Sequence, residues 1–139
     1  MILWRSTSAH TEEPRLIDSG AIVPAIFGSY AGLPDSIPNP SRGKDVWKIN
    51  GCGVCHAQSM KDVLTGPALG GVTERWAAHP REDLYTWIQS SQKLIGEGHP
   101  RAIAVWNEWK PTVMPIYPDL TDEECADLLA YIEVVYADY

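Results

Sequence analysis

Apolar residues recur at intervals of three and four in several stretches after residue 40, the spacing that places them on one face of a helix. This periodicity predicts helices over 42–50, 81–92, 100–110 and a C-terminal stretch that follows Thr121. The residues that define these faces are Gly43, Val46 and Trp47, then Leu84, Trp87, Ile88 and Ser91, then Ile103, Val105, Trp106 and Trp109, and last Cys125, Leu128, Leu129, Ile132 and Val135. We therefore expect an all-α fold of about four to five helices.

Helix-capping residues support two of these boundaries. Ser41 is placed to cap the first helix. The last helix begins with Thr121-x-x-Glu124, a capping box in which each residue satisfies a free backbone N–H of the other. Where the first and last helices cross, Tyr131 is a suitable partner for Trp47.

Residues 1–40 differ from the rest of the chain. They contain five prolines, which exclude a long helix. Apolar side chains are too frequent here for a free linker. We expect a long, mostly irregular N-terminal arm that wraps the core, followed by one domain over 41–139. The alternative is a flexible tether left from a membrane or lipid anchor.

The chemistry of the chain centres on Cys52-Gly-Val-Cys55-His56, the C-x-x-C-H spacing of c-type haem attachment. Residues three apart share a helix face, so both thiols can reach one haem edge and form thioethers. His56 comes next and can turn its imidazole toward the iron. A redox dithiol or half of a zinc site is the alternative, but Cys125 alone remains to complete a zinc site.

Two further segments suit the surroundings of such an iron. Pro67 lies in Gly-Pro-Ala-Leu, and its carbonyl is a good acceptor for the second ring N–H of His56. Met114 follows the 100–110 helix in a proline-bounded loop that can hold a thioether rigidly over the iron, although a loop methionine is more often plain core. His79 and His99 could bind iron in principle, but surface histidines beside turns are commoner.

Composition and charge indicate which kinds of partner the protein can bind. The 139 residues carry a net charge of −7, which argues against nucleic acid as a partner. Residues 41–61 hold four basic residues and one acid, whereas 111–139 hold seven acids and no Lys or Arg. We therefore expect Lys44, Lys48 and Lys61 to steer an acidic partner, an effect that salt would screen. No signal peptide and no membrane span is visible.

Taken in order, these features resemble those of class I c-type cytochromes: a helix, Cys-Gly-Val-Cys-His, Gly-Pro-Ala-Leu, a tryptophan, Met-Pro and a terminal helix with Leu-Leu-Ala-Tyr-Ile. The resemblance covers residues 41–136. The strings Gly-Val-Thr-Glu-Arg-Trp and Thr-Val-Met-Pro-Ile-Tyr-Pro are similar to those of monohaem cytochromes c in Bacteroidota-type respiratory chains. Such proteins accompany alternative complex III or are domains of haem-copper oxidases.

The resemblance implies a class I cytochrome c fold around one covalent haem c. It implies thioether bonds at Cys52 and Cys55, with His56 and Met114 as the axial ligands of the iron. It also implies Pro67 as the acceptor for His56. Trp76, a core aromatic by default, would then donate its indole N–H to a haem propionate.

The implied function is electron transfer rather than enzymatic catalysis. The protein would be a periplasmic, membrane-peripheral monomer, outside the cytoplasmic membrane. It would take electrons from alternative complex III or a bc1-like complex and pass them to a haem-copper oxidase. Two alternatives remain: an electron-input domain of a larger oxidase subunit or anchored cytochrome, and a haem sensor or enzyme with a labile sixth ligand.

Overall fold

The structure, a computed structural model, describes residues 37–138. The predicted arm over 1–40 lies outside the described residues except for its last four. Within 37–138 the regular structure is entirely helical, so the all-α prediction is confirmed. The helices are α1 (Pro40–Ile49), α2 (Val72–Arg75), α3 (Arg81–Gln89), α4 (Ser91–Gly96), α5 (Pro100–Trp109) and α6 (Asp122–Asp138), with a short 3-10 helix at Cys52–Val54.

Helix α1 begins earlier than the sequence analysis predicted. The side-chain carbonyl of Asn39 accepts hydrogen bonds from the backbone N–H groups of Ser41 and Arg42, at 2.9 and 3.3 Å. Pro40 occupies the first helical position, where its missing N–H costs nothing. The predicted cap at Ser41 is therefore wrong, because Asn39 caps the helix and Ser41 lies inside it.

Helices α1 and α6 cross in direct contact. Trp47 and Tyr131 pack edge to face, with ring centroids 6.0 Å apart and planes at 61°, as predicted. The capping box of α6 is also confirmed: the N–H of Glu124 donates to Oγ1 of Thr121 at 3.1 Å, and the N–H of Thr121 donates to Oε2 of Glu124 at 2.9 Å. These two bonds define where α6 begins.

The predicted helix over 81–92 is divided in two. Ser90 has an extended backbone, with φ of −160° and ψ of 85°, and separates α3 from α4. The carbonyl of Gln89 accepts from the N–H of Tyr117 at 2.8 Å, and the Gln89 side chain donates to the carbonyl of Leu120 at 2.9 Å. The bond from Tyr117 takes the place of the helical hydrogen bond that the Gln89 carbonyl would otherwise accept, and the bond to Leu120 holds the same distant loop against the helix end.

The buried core joins α1, α6 and the shorter helices. Its most enclosed apolar side chains include Met60, Leu84, Cys125 and Leu129, each at most 1% exposed. Met60 therefore belongs to the core. None of the helices in the described part of the chain combines the length and the apolar content that crossing a bilayer requires.

Candidate functional site

One cavity among the helices brings together the six residues that the sequence analysis singled out. Its volume is about 620 Å³, within the range of pockets that enclose a small-molecule ligand. Its wall includes Cys52, Cys55, His56, Pro67, Trp76 and Met114. Apolar side chains from several helices complete it, among them Val46, Trp87, Trp109 and Leu129.

The cysteines and the histidine lie on one tight turn. Gly51 has a φ of 65°, a left-handed conformation that glycine adopts without steric cost. The N–H groups of Cys55 and His56 then both donate to the carbonyl of Cys52, at 3.2 and 3.0 Å. The turn directs three potential ligand-binding side chains to the same cavity wall.

Both motif cysteines are half-buried, and neither forms a disulfide bond. Burial raises the pKa of the Cys52 thiol, and the neighbouring Cys55 adds to this rise. Until it bonds to a ligand, the Cys52 sulfur is therefore protonated at neutral pH. Two such sulfurs, one turn apart, can bond to two positions on one rigid ligand.

The imidazole of His56 is held from behind by the Gly-Pro segment. Its Nδ1 lies 2.8 Å from the carbonyl oxygen of Pro67. A carbonyl can only accept, so Nδ1 carries the proton and Nε2 keeps its lone pair for a metal. Burial lowers the pKa of His56, and the bond to Pro67 opposes that change only in part. The ring is therefore neutral, the form that binds a metal ion.

Gly66 lies close behind the same imidazole. A Cβ at this position would approach Cε1 of His56 to 2.7 Å and the carbonyl oxygen of Cys55 to 3.2 Å. The N–H of Gly66 donates to that carbonyl at 2.7 Å. The absence of a side chain thus allows the segment to pack against the ring and to present Pro67 to it.

Met114 reaches the cavity from the irregular segment between α5 and α6, and it is half-buried. Tyr117, three residues on, anchors this segment. Its hydroxyl donates to the carbonyl of Asn50 at 3.3 Å, immediately before the Cys52 turn. This bond ties the methionine loop to the motif, so two regions distant in sequence form one site.

Trp76 is 3% exposed and forms part of the cavity wall. Behind it lie His99, stacked at a centroid distance of 5.4 Å, and His79 at 6.1 Å. The expectation that both histidines are surface residues is wrong for His99, whose side chain is 13% exposed. Neither histidine lines the cavity.

Arg101 is the residue that the sequence analysis missed. It lines the cavity from α5, and its Nε is buried without a hydrogen-bond partner among the described residues. The sequence did contain a signal for it. Arg101 lies four residues before Val105 and eight before Trp109, a spacing that places all three on one helix face. A buried guanidinium N–H without a partner points to an anionic group of a ligand.

Comparison with known proteins decides the family. The sequence profile of cytochrome c matches residues 40–135, the part of the chain that contains the cavity. The chain belongs to the cytochrome c family.

A curated relative gives a second comparison. The chain is 30% identical over 97 residues to cytochrome c oxidase subunit 2 of Alkalihalophilus pseudofirmus. The alignment covers 66% of the chain and 24% of that relative, so the chain spans about a quarter of the relative's length. No solved structure matches the chain.

A cytochrome c carries covalently bound haem c, and this cavity fits that group. Two thiols on one turn suit the two thioether bonds, and the Nε2 lone pair of His56 suits an iron ligand. The largely apolar wall suits the porphyrin, while the unpartnered Nε of Arg101 suits an anionic propionate. The donor set of the cavity therefore agrees with the cofactor of the family.

Proposed function

We propose that this cytochrome c carries single electrons between respiratory complexes, with Cys52 and Cys55 as the thioether positions. His56 and Met114 are the axial ligands in this proposal, and Pro67 orients His56. The supporting observation is that one cavity of about 620 Å³ includes all five residues in its wall. Two of its regions, the motif turn and the methionine loop, are joined by the Tyr117–Asn50 hydrogen bond.

The chain's own residues would set the redox behaviour of the site. When bound, haem c supplies an iron that gains and loses one electron. A His and Met ligand pair raises the reduction potential. The apolar wall acts in the same direction, because it disfavours the oxidised site with its extra positive charge. The hydrogen bonds that hold His56 and the methionine loop keep both ligands in place during the change.

Replacement of Met114 by alanine tests the ligand assignment. We expect Met114→Ala to lose the sulfur-to-iron charge-transfer band, to lower the reduction potential and to bind CO rapidly when reduced. Met60→Leu is the matched control, because Met60 is fully buried core and leucine nearly conserves its volume. An unchanged band and potential in Met114→Ala would contradict the assignment.

The same experiment separates the electron carrier from a haem sensor or enzyme. A sensor or enzyme needs an open or labile sixth position. The parent protein would then bind CO rapidly when reduced, without any substitution. We expect the parent protein to bind CO slowly and only the Met114→Ala variant to bind it fast.

A second candidate is an electron-input domain of a larger oxidase subunit. The similarity to an oxidase subunit 2 favours it, although the alignment covers only 24% of that relative. In the carrier version, a donor of the alternative complex III or bc1 type reduces a periplasmic, membrane-peripheral monomer, which then reduces a haem-copper oxidase. Turnover kinetics distinguish the two: a carrier saturates with its own concentration, whereas a covalently attached domain gives a rate independent of dilution.

A further inference from the structure

Three side chains with metal-binding atoms converge on the side of Trp76. They are His79, in the segment before α3, Asp83, in the first turn of α3, and His99, immediately before α5. One ligand atom from each lies within 4.8 Å of the other two. All three residues are half-buried, so the cluster is enclosed by protein yet open to an ion from solvent.

We propose that His79, Asp83 and His99 bind one divalent transition-metal ion of the zinc type. Two imidazoles and a carboxylate form a ligand set that such ions favour over Mg²⁺ or Ca²⁺, which prefer oxygen ligands alone. Three protein ligands leave a fourth tetrahedral position for water. The site is separate from the iron ligands, because neither histidine lines the haem cavity.

The distances suit this ion. Nε2 of His99 and Oδ2 of Asp83 are 3.0 Å apart, and two ligands about 2.1 Å from one tetrahedral zinc lie roughly 3.4 Å apart. The rings of His79 and His99 have centroids 4.6 Å apart, so small side-chain rotations suffice to bring a nitrogen from each to a common point. The cluster therefore requires little backbone movement to close on an ion.

The hydrogen bonds of His99 determine what the ion must displace. Nδ1 of His99 accepts from the N–H of Ala102 at 3.4 Å, so the Nε2 proton is donated to Asp83. A metal ion at Nε2 takes the place of that proton and moves a proton to Nδ1, which ends the bond to Ala102. At 3.4 Å this N–H···N bond is longer than most protein hydrogen bonds, but Ala102 is fully buried. Binding of the ion must therefore offset the loss of one long hydrogen bond and an unpaired N–H at Ala102. Asp83 then binds the ion directly instead of accepting the hydrogen bond from Nε2 of His99.

The ion would lie next to the wall of the haem cavity. The His99 ring stacks on Trp76 at a centroid distance of 5.4 Å, and Trp76 lines the cavity. Fixing the His99 ring therefore also fixes the position of the indole. Trp76 would therefore lie between the second metal and the haem cavity.

Calorimetric titration of the haem-loaded protein with Zn²⁺ is the first test. We expect one equivalent to bind, and His79→Gln, Asp83→Asn and His99→Asn each to weaken binding at least tenfold. His99→Asn keeps a side chain that can cap α5. Glu82→Gln, next to Asp83 on an exposed surface, and His10→Gln, outside the described residues, are the matched controls and should leave binding unchanged.

X-ray absorption at the zinc edge identifies the ligands without interference from iron. We expect two imidazoles and only oxygen or nitrogen donors, and one imidazole fewer in His79→Gln. The proposal is overturned if no zinc binds at about 100 µM. It is equally overturned if His10→Gln removes the binding, or if the spectrum shows no imidazole. A variant that fails to fold leaves the parent spectrum as the deciding measurement.

Discussion

Gly43 of α1 lies directly against the backbone carbonyl of Asp127 of α6. A Cβ at position 43 would overlap that carbonyl and would lie 2.8 Å from the Cβ of Tyr131. The two helices can approach so closely only because the side chain is a hydrogen atom. The same approach brings Trp47 onto Tyr131 and places the start of α1 next to the buried Asp127 carboxylate.

Alanine at position 43 should therefore force the two helices apart. We expect Gly43→Ala to lower the free energy of unfolding by about 1–3 kcal/mol, the usual cost of overpacking a close contact. Urea unfolding of the haem-loaded protein measures the change. Gly96 is the matched control, since a Cβ there meets nothing within 4 Å. Gly96→Ala should instead add about 0.4–1 kcal/mol by restricting the unfolded chain. Equal losses in the two variants would contradict the helix-contact explanation.

The carboxylate of Asp127 makes stability depend on pH in acid. It accepts from Nε of Arg42 at 2.7 Å and from the N–H of Asn39 at 2.6 Å. Burial by itself would raise the pKa of Asp127, but these hydrogen bonds and the Arg42 charge outweigh it, so the pKa lies below its usual value. A lowered folded-state pKa means that the contribution is complete above the unfolded pKa of about 3.9 and is lost as pH falls through the folded value.

Comparison of the parent protein with Asp127→Asn isolates this contribution. The variant should be less stable at neutral pH by an amount that stays constant down to about pH 5. The difference should then shrink as the solution becomes more acidic. Urea titrations at several pH values measure it. A difference that grows below pH 4, or that is absent at pH 7, would show that Asp127 does not act as the ionised acceptor.

The sequence predicted the parts of the site that depend on short-range geometry. The Cys52–His56 turn and the Thr121 capping box follow from spacings of three or four residues, which the local helix conformation determines. The division of the 81–92 helix could not be predicted in this way, because Ser90 is extended where Gln89 bonds to a loop 28 residues further along the chain. The His79–His99 contact has the same origin, since it arises only where the segments that precede α3 and α5 pack against Trp76.

Cys125 should be inert in the native protein. It is fully buried, and burial, with smaller contributions from Asp122 and Glu124, raises the pKa of its thiol to about 12. Alkylation of the haem-loaded protein near pH 8, followed by intact mass analysis, should add no label to the native state and one label in denaturant. Three labels in denaturant would show that Cys52 and Cys55 carry no thioethers. A label on the native protein would contradict the burial of Cys125.

We expect Arg101 to raise the reduction potential of the haem, because its buried Nε–H can bind an anionic group. Its buried Nε has no partner among the described residues, so it can donate a hydrogen bond to a haem propionate. The negative charge of an unpaired propionate stabilises the oxidised iron. Pairing with Arg101 reduces that charge and therefore favours the reduced state. We expect Arg101→Gln to lower the potential by on the order of tens of millivolts, the scale of one poorly screened charge.

The control for Arg101→Gln is an arginine of the same cavity with its hydrogen bonds already made. Arg75 donates to the carbonyls of Gly70 and Ala68, at 2.7 and 3.1 Å, and is exposed. Solvent screens its charge, so Arg75→Gln should shift the potential less than Arg101→Gln does. Potentiometric titration at two salt concentrations measures both shifts, and only that of Arg75→Gln should decrease strongly at high salt. Equal, salt-sensitive shifts would mean that Arg101 acts as one more surface charge, with its Nε bound to no propionate.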